Sequence, residues 1–372
     1  MPELAELLKL LVEREGSDLH LRVGEPPILR IHGELTRTEF PPLTPEDTRA
    51  LVISIMNEER LAAFAEDLEL DMSYATDQAR FRINVFQQQG HIGAVMRVIP
   101  ISIKTIDEVG APQIAKEIAL RPRGLLLVTG PTGSGKSTTL AAIINHINTH
   151  RRAHVMTIED PIEFMHEDKM SAINQRELGQ DTHSFAAALK HVMRQNPDVI
   201  LVGEMRDLET IQLAITAAET GHLVFSTVHT TDASQTIDRI VDVFPPDQQQ
   251  QIRTQLAVTL LGVISQTLLP RSDTKGRIAA FEVMVATPAI RSLIRDGKTH
   301  QLNSDIQTGS QHGMESLDHN LLGLVQAKKV RYEDALAKSS HPGEFQQRAS
   351  VLNLLPANAR PEAAQRGPHE NH

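Results

Sequence analysis

A glycine-rich stretch in the middle of the chain reads Gly130-Pro131-Thr132-Gly133-Ser134-Gly135-Lys136-Ser137 and matches the pattern GxxxxGK(S/T) at every fixed position. The apolar run before it, Gly124–Thr129, predicts a buried strand, and the residues from Thr138 onward predict a helix. In that setting the glycines let backbone amides surround an anion, and the helix N-terminus favours negative charge. Lys136 would contact the β- and γ-phosphates, and the Ser137 hydroxyl would hold Mg²⁺. A chance glycine-rich turn would rarely combine these features, so residues 130–138 predict a nucleoside triphosphate site.

The composition is that of an acidic chain without cysteine. Its 372 residues suggest two or three domains with proper cores, and the absence of Cys excludes disulfide bonds and thiolate zinc sites. A formal net charge of −10 argues against a dedicated nucleic-acid binder, which would usually present a basic face. Charged residues from Glu3 onward argue against a signal peptide, and no apolar run approaches the ~18 residues of a membrane span. We therefore expect a cytoplasmic protein.

The patterning along the chain predicts two domains. We expect a small α/β domain at residues 1–100, a linker at 101–111, a nucleotide-binding domain at 112–345 and a disordered tail at 346–372, which is rich in Pro, Ala, Asn and charge. In the first domain two segments alternate like strands around a glutamine-rich turn. A further segment predicts a helix that leads into the second domain. The two strands are Arg80–Phe86 and Ala94–Ile99, and the helix is Ile106–Leu120.

In the second domain, strands and helices alternate from Gly124 to about Thr230. This alternation predicts a mainly parallel sheet with helices on both faces, hence an α/β fold. Residues 246–338 are interpreted as mostly helical. The predicted strands are Leu125–Val128, Val155–Ile158, Val199–Val202 and Leu223–Thr227.

Acidic residues follow two of these strands, at the edge where an open α/β sheet places its ligands. Glu204 ends an apolar strand in the manner of a Walker B motif, with Glu in place of the usual Asp. It would hold Mg²⁺, directly or through water, beside Ser137. Three more carboxylates follow an earlier strand, and any of them could orient or deprotonate the water that attacks the γ-phosphate. The pattern does not choose among these three, which are Glu159, Asp160 and Glu163.

Two histidines frame the strand predicted at residues 223–227. His222 and His229 are seven positions apart, so their rings point to opposite faces of a strand and a shared metal is not expected. His229, at the strand end, could instead hydrogen-bond the γ-phosphate. The 17 His residues of the chain form no HExxH pattern and no close ligand cluster. We therefore predict no metal other than Mg²⁺.

These motifs occur in the order and spacing of the secretion ATPases, and the chain resembles that family from Ser17 to about Phe345. Members of the family are hexameric motors of type II secretion, type IV pili and archaeal flagella. The chain is most similar to the retraction ATPases of type IV pili, whose helix signature is AIRNLIRE. Ala289–Asp296 matches that signature at six of eight positions. The departures are Ser292, Asp296 and, elsewhere, Asn196, where the family more often has Asp.

The resemblance implies a PAS-like N-terminal domain, a RecA-like ATPase domain with a helical C-terminal part, and a ring of six subunits that binds ATP and Mg²⁺. By the same resemblance, Glu163 would be the catalytic base, Glu204 the Walker B acid and His229 the phosphate-proximal residue. Arg82 and Arg97 would be aimed at the nucleotide, although their strand positions alone suggest ordinary exposed arginines. The two domains would swing around the Pro100 region as ATP binds and leaves.

The implied function is pilus retraction, which drives twitching motility, at the inner-membrane base of the pilus machine. An inner-membrane platform protein and an accessory retraction ATPase are the implied partners. The signature helix would couple hydrolysis to retraction, although a helix with this apolar stripe could also be ordinary core. The stripe consists of Ala289, Ile290, Leu293 and Ile294, with Arg291 and Arg295 aligned on a neighbouring face.

Three alternatives remain beside this interpretation. Pilus-assembly and type II secretion ATPases usually carry a four-Cys zinc module and a longer N-terminal extension, and this chain has no Cys. A RecA-like nucleic-acid motor would need base-stacking surfaces, for which ten Phe, two Tyr and no Trp are few. An accessory retraction ATPase is disfavoured only by the short C-terminus after Phe345.

Overall fold

The computed structural model describes residues 2–31, 33–99 and 102–355, which divide into two compact units. The first unit contains the chain up to Ile103 together with Pro161–His166. The second contains Lys104–Asp160 together with the chain from Glu167 onward. The domain limits drawn from the sequence stay predictions, and the units differ from them because Pro161–His166 clusters with the first unit. The hinge predicted at Pro100 lies outside the described residues.

The first unit is an antiparallel sheet with three helices over its described residues. Its strands are β1 (Gly16–Leu21), β2 (Ile28–Ile31), β3 (Glu34–Arg37), β4 (Glu69–Ala75), β5 (Arg80–Gln88) and β6 (His91–Ile99), and its helices are α1 (Leu4–Glu13), α2 (Pro45–Ile53) and α3 (Glu58–Asp67). The strand order is β3-β2-β1-β6-β5-β4. Both strands predicted here are confirmed within β5 and β6.

Alternation along β5 explains how this sheet covers a core on one face. Phe81, Ile83 and Val85 are fully buried, whereas Arg82 between them is exposed. Successive side chains of a strand point to opposite faces, so the apolar set faces the core and the arginine faces away from it. The same period places Arg97 on the exposed face of β6.

The second unit is a mainly parallel sheet with helices. Its strands are β7 (Gly124–Thr129), β8 (His154–Glu159), β9 (Ala172–Glu177), β10 (Val199–Val202), β11 (Leu223–Val228), β12 (Leu260–Pro270) and β13 (Arg277–Val285). Its helices are α4 (Ile114–Ala119), α5 (Lys136–His150), α6 (Phe185–Val192), α7 (Leu208–Glu219), α8 (Ala233–Asp242), α9 (Pro246–Thr259), α10 (Pro288–Arg295), α11 (Leu302–Thr308), α12 (Leu317–Gln326), α13 (Tyr332–Leu336) and α14 (Pro342–Val351).

The order of this sheet within the described chain is β13-β12-β7-β11-β10-β8-β9, and β13 is its antiparallel member. Every residue of β7, β10 and β11 is buried. That burial matches their continuous apolar runs, since parallel strands are covered by helices on both faces. All four strands predicted for this domain are confirmed.

Two strands were missed in the region interpreted as mostly helical. β12 pairs with β7 in parallel and β13 pairs with β12 in antiparallel fashion, so this hairpin extends the central sheet. A short apolar run such as 260–270 does not distinguish a buried strand from a buried helix by periodicity. Residues 260–270 form a strand because they pair with β7, which lies more than a hundred residues earlier in the sequence. The local sequence does not indicate that pairing.

Two other sequence predictions also need correction. The helix predicted at Ile106–Leu120 begins only at Ile114, because Gly110 has a φ of 68° and Pro112 disfavours helical geometry in the residue before it. The tail predicted from residue 346 is wrong for its first six residues, which belong to α14. Phe345 and Ala349 anchor that helix in the core. Residues 356–372 lie outside the described part of the chain.

Candidate functional site

The phosphate loop follows β7 and leads into α5, as predicted. Gly130, Gly133 and Gly135 have φ values of 142°, 76° and 90°, which side chains rarely permit. A Cβ on Gly130 would lie 2.3 Å from the backbone oxygen of Gln266 and 2.6 Å from Ser134 Oγ. The motif glycine is therefore required both by its own backbone angle and by the strand beside it.

Lys136 is buried at the start of α5 and turns back over the loop. Its Nζ donates to the backbone oxygens of Gly130 and Pro131, at 2.9 and 3.2 Å. The same Nζ lies 3.5 Å from Nδ1 of His229. The lysine ammonium thus stands inside the loop, next to the end of β11, where it can neutralise phosphate charge.

Glu204 and His229 meet because β10 and β11 are adjacent parallel strands that end at the same edge. His229 Nε2 lies 3.3 Å from Glu204 Oε2, and the same oxygen forms an ion pair with Arg206 Nε at 2.8 Å. A lysine can only donate, so the contact with Lys136 fits a histidine whose Nδ1 accepts and whose Nε2 carries the proton toward Glu204. The structure therefore joins three predicted residues in one chain of contacts.

Two residues of this site were missed from the sequence. Arg206, two positions after the Walker B acid, forms an ion pair with Glu204. Gln266 on β12 donates from Nε2 to the backbone oxygen of Ser134 at 2.7 Å, inside the phosphate loop. Both residues lie within the site, but Gln266 could be assigned to it only by recognising β12 as a strand. A polar Ser-Gln pair within an apolar run was the available signal.

The acidic segment after β8 divides between the two units. Glu159 ends β8 in the second unit, where its Oε1 accepts from Thr157 Oγ1 at 2.7 Å and from Gln175 Nε2 at 3.1 Å. Glu163 belongs to Pro161–His166, which clusters with the first unit, and it is exposed there. The structure thus gives Glu159 a hydrogen-bonded position in the sheet edge and Glu163 an exposed one.

The predicted arginines lie side by side in the first unit. Arg82 and Arg97 are register partners across β5 and β6, and Arg97 is opposite Asp18 of β1. Arg97 Nε lies 2.8 Å from Asp18 Oδ1, and Arg30 Nε lies 3.6 Å from Oδ2. Burial alone would raise the pKa of Asp18, but hydrogen bonds from Ser17 and Arg97 outweigh burial and lower it. The row formed by Arg30, Arg82, Arg97 and Asp18 thus combines three cations with one buried carboxylate.

The signature helix α10 is anchored from one side. Ile290 and Ile294 are fully buried and Leu293 is partly buried against the same core, but Ala289 is exposed, so the predicted stripe is narrower than expected. Arg291 and Arg295, four positions apart on this helix, differ in their surroundings. Arg291 donates to the carbonyls that end α9, including Val258 O at 2.8 Å, whereas Arg295 is exposed. Desolvation lowers the pKa of Arg291.

Comparison with known proteins gives concordant matches. A family model described as Type II/IV secretion system protein matches residues 3–335. The chain is 50% identical over 344 residues to the Type IV pilus retractation ATPase PilT of Pseudomonas aeruginosa, covering 92% of this chain and 100% of the relative. It is 40% identical to the Type IV pilus ATPase PilU of the same organism, covering 92% and 90%.

A solved structure agrees with these relatives. The crystal structure of the pilus retraction motor PilT with bound ADP superposes with a TM-score of 0.88 at 44% identity, covering 93% of this chain and 100% of that one. The similarity to retraction ATPases expected from the sequence motifs is thereby confirmed. So is the α/β fold with an N-terminal domain ahead of the ATPase domain.

Proposed function

Since this chain belongs to the type II/IV secretion system protein family and is an ATPase, we propose that it is the motor that retracts type IV pili and so drives twitching motility. The main structural support for ATP hydrolysis is that Lys136, His229 and Glu204 contact one another in series at the ends of three parallel strands. Identity of 50% to a pilus retraction ATPase along nearly the whole chain supports the cellular role. The proposed assembly is a homohexameric ring.

In the proposed mechanism the loop 130–138 binds the phosphates of ATP through backbone amides, and Lys136 neutralises the β- and γ-phosphates. The Ser137 hydroxyl and the Glu204 carboxylate are hard oxygen donors of the kind that Mg²⁺ prefers, so these residues fit the ion. Bound Mg²⁺ would supply charge neutralisation on the phosphates. His229 donates from Nε2 to Glu204 and thereby fixes the orientation of the Walker B carboxylate.

Glu163 is the proposed general base for the attacking water. The hydrogen bonds of Glu159 support this choice, since its Oε1 already accepts from Thr157 and Gln175. An exposed carboxylate such as Glu163 keeps its oxygens available to orient water and accept its proton.

Arg82 and Arg97 are the proposed cations for the charge that develops on the transferring phosphoryl group. Their adjacency supports this role, because register places the two guanidinium groups side by side on one exposed sheet face. Arginines in this position act in the transition state and not on ATP binding alone.

We place the motor in the cytoplasm at the inner-membrane base of the pilus machine, on a platform protein and beside an accessory retraction ATPase. Within the described residues, no helix has both the length and the apolar character needed to cross a membrane. The absence of Cys favours retraction over the zinc-containing assembly and type II secretion motors. A RecA-like nucleic-acid motor is the weaker alternative, and ATPase stimulation by single-stranded DNA would support it.

The test uses cells that lack this gene and are complemented with variants, with pilus retraction and twitching as the measurements. Arg295→Ala removes an exposed cation of α10 that takes no part in phosphate binding, so hydrolysis should stay within about twofold of wild type while retraction stops. Arg277→Ala, an exposed arginine at the start of β13, is the matched control and should retract normally. Normal retraction without the gene refutes the cellular role, and normal retraction in Arg295→Ala refutes coupling through α10.

A further inference from the structure

Glu282 on β13 is a buried carboxylate that the phosphate chemistry above does not use. It is 6% exposed, and its Oε1 accepts a 2.8 Å hydrogen bond from the backbone N–H of Ala233, the first residue of α8. Burial, together with the nearby acids Asp232 and Asp318, raises the pKa of Glu282 to about 7. The carboxyl thus lies at a helix N-terminus, which stabilises negative charge, in surroundings that oppose that charge.

The contacted helix leads directly back to the phosphate site. Only residues 230–232 separate His229 from the first turn of α8. That segment is fixed to the helix, because Thr230 Oγ1 lies 2.7 Å from Thr236 Oγ1 and Asp232 caps the helix with its side chain. A displacement of the first turn of α8 therefore displaces His229 relative to its two partners.

The strand that carries Glu282 leads in the other direction to the signature helix. β13 ends at Val285, and Thr287 then caps α10 by accepting from the N–H of Ile290. A single side chain thus connects the segment after His229 with the strand that positions α10.

The hydrogen bond from the Ala233 N–H requires an accepting side-chain oxygen at this position. A glutamine oxygen could accept the same hydrogen bond without the cost of burying a group that can ionise. Asp318 lines the same cavity of about 250 Å³ and serves as a comparison, a buried carboxylate with a structural role. It is 8% exposed and accepts from the N–H groups of Ser340 and His341 at 2.8 and 3.1 Å, with no connection to His229.

We propose that Glu282 is a positioning residue for ATP hydrolysis, which holds the start of α8 and thereby the contacts of His229 with Lys136 and Glu204. This inference rests on the proposed role of His229. Its hydrogen bond joins the start of α8, which follows His229, to the strand that precedes α10.

The test measures steady-state ATP hydrolysis by the full chain, with thermal unfolding as the control for folding. Glu282→Ala should lower kcat about tenfold or more while the KM for ATP stays within about twofold, since the phosphate loop is untouched. Glu282→Gln keeps the accepting oxygen and should recover kcat to within about threefold of wild type. Asp318→Ala removes comparable hydrogen bonds and should lower the unfolding temperature without this loss of kcat.

A double-mutant cycle distinguishes this inference from the role of His229 itself. If Glu282 acts through the histidine, Glu282→Ala combined with His229→Ala should be no slower than His229→Ala alone, within about twofold. If His229→Ala lowers kcat and the double variant loses the product of the two single effects, the role proposed for Glu282 is wrong but that of His229 stands. A wild-type rate in His229→Ala overturns the role of the histidine and this inference with it.

A second variant removes the donor in case Glu282→Ala does not fold. Ala233→Pro deletes the N–H that Glu282 accepts from, at the first helical position, where proline is well tolerated. The expected result is the same selective loss of kcat. A folded Ala233→Pro or Glu282→Ala chain with wild-type kcat refutes the proposal.

Discussion

The two units bring their charged groups together in different ways. In the second unit, Glu204 and His229 each follow a buried parallel strand, and the order of those strands brings them to each other and to Lys136. In the first unit, Asp18 and Arg97 lie within strands and meet because antiparallel register places them opposite one another. Short contiguous motifs therefore determine the site in the second unit. The Asp18–Arg97 pair in the first unit depends instead on the pairing of strands between residues 79 positions apart.

The two units also treat a buried carboxylate in opposite ways. Asp18 has a guanidinium beside it, and its pKa is lowered in spite of burial. Glu282 accepts from a backbone amide among other acids, and its pKa is raised. Burial alone therefore does not determine the charge of an acid, and the nearest partner decides whether that acid contributes an ion pair or a proton-binding group.

The largest expected effect falls on the motif-encoded site. Lys136→Ala should reduce ATP hydrolysis to the limit of detection, because the ammonium that faces the phosphates is lost while α5 keeps its helix-forming residues. The measurement is phosphate release at saturating ATP. Lys275→Ala, an exposed lysine in the turn before β13, is the control and should hydrolyse normally. Near wild-type hydrolysis by Lys136→Ala would contradict the nucleotide assignment.

Loss of an arginine from the row in the first unit should lower the rate of ATP hydrolysis almost as much. An arginine that contacts a transferring phosphoryl group contributes roughly 10³–10⁵ in rate, so Arg82→Ala or Arg97→Ala should lose at least the lower part of that range. Arg30→Ala is the matched control, because Arg30 also pairs with Asp18 but is not proposed to reach phosphate. Equal losses in Arg30→Ala and Arg97→Ala would show that the row only stabilises the first unit.

The next effect concerns the acidic residues that follow β8, Glu159 in the second unit and Glu163 in the first. Glu163→Gln should lower kcat by about 10²–10⁴ and leave ATP binding unchanged, as expected for a general base. Glu159→Gln should cost much less, because the remaining amide oxygen can still accept from Thr157 and Gln175. ATP binding by equilibrium titration and single-turnover hydrolysis would separate the two effects. The reverse ranking would make Glu159 the base.

Sequence reasoning performed best where one contiguous segment carries both the fold and the chemistry. The phosphate loop, the four central strands and the Walker B position were all predicted, since local apolar runs and motif spacing determine them. Resemblance to a family supplied the arginines, whose strand positions alone suggested ordinary surface residues.

The features that sequence reasoning missed depend on distant pairing. β12 was interpreted as helix, because its place beside β7 comes from tertiary pairing. Gln266, which holds the phosphate loop, was missed with it. The different surroundings of Arg291 and Arg295 also could not be predicted from their spacing, since Arg291 donates to the carbonyls that end α9 while Arg295 is exposed.

The smallest effect compares the two buried acids through the pH dependence of stability. Glu282 has a pKa of about 7 in the folded chain, whereas the ordinary value for glutamate is 4.5, so the folded state holds this proton more tightly. Its contribution to stability is present below pH 4.5 and is lost as pH rises to about 7, and the loss amounts to ~3 kcal/mol. Asp18 has the opposite sign, and its contribution is lost as pH falls below the ordinary aspartate range.

Glu282→Gln isolates the first contribution. Asp232, Asp318, Glu344, His341 and Arg348 also line this cavity, and because both chains contain them, their direct contributions largely cancel in the difference. The stability of wild type minus that of Glu282→Gln, from urea unfolding at pH 5 to 8, should fall steadily as pH rises. Asp18→Asn should give a smaller fall that is confined to the acidic end of this range, because Asp18 is ionised throughout it and acts there only through the neighbouring His20, whose pKa burial lowers and the charge of Asp18 raises. A flat difference for Glu282→Gln would mean that Glu282 is ionised in the folded chain at pH 5, and that both units stabilise their buried carboxylates as charges.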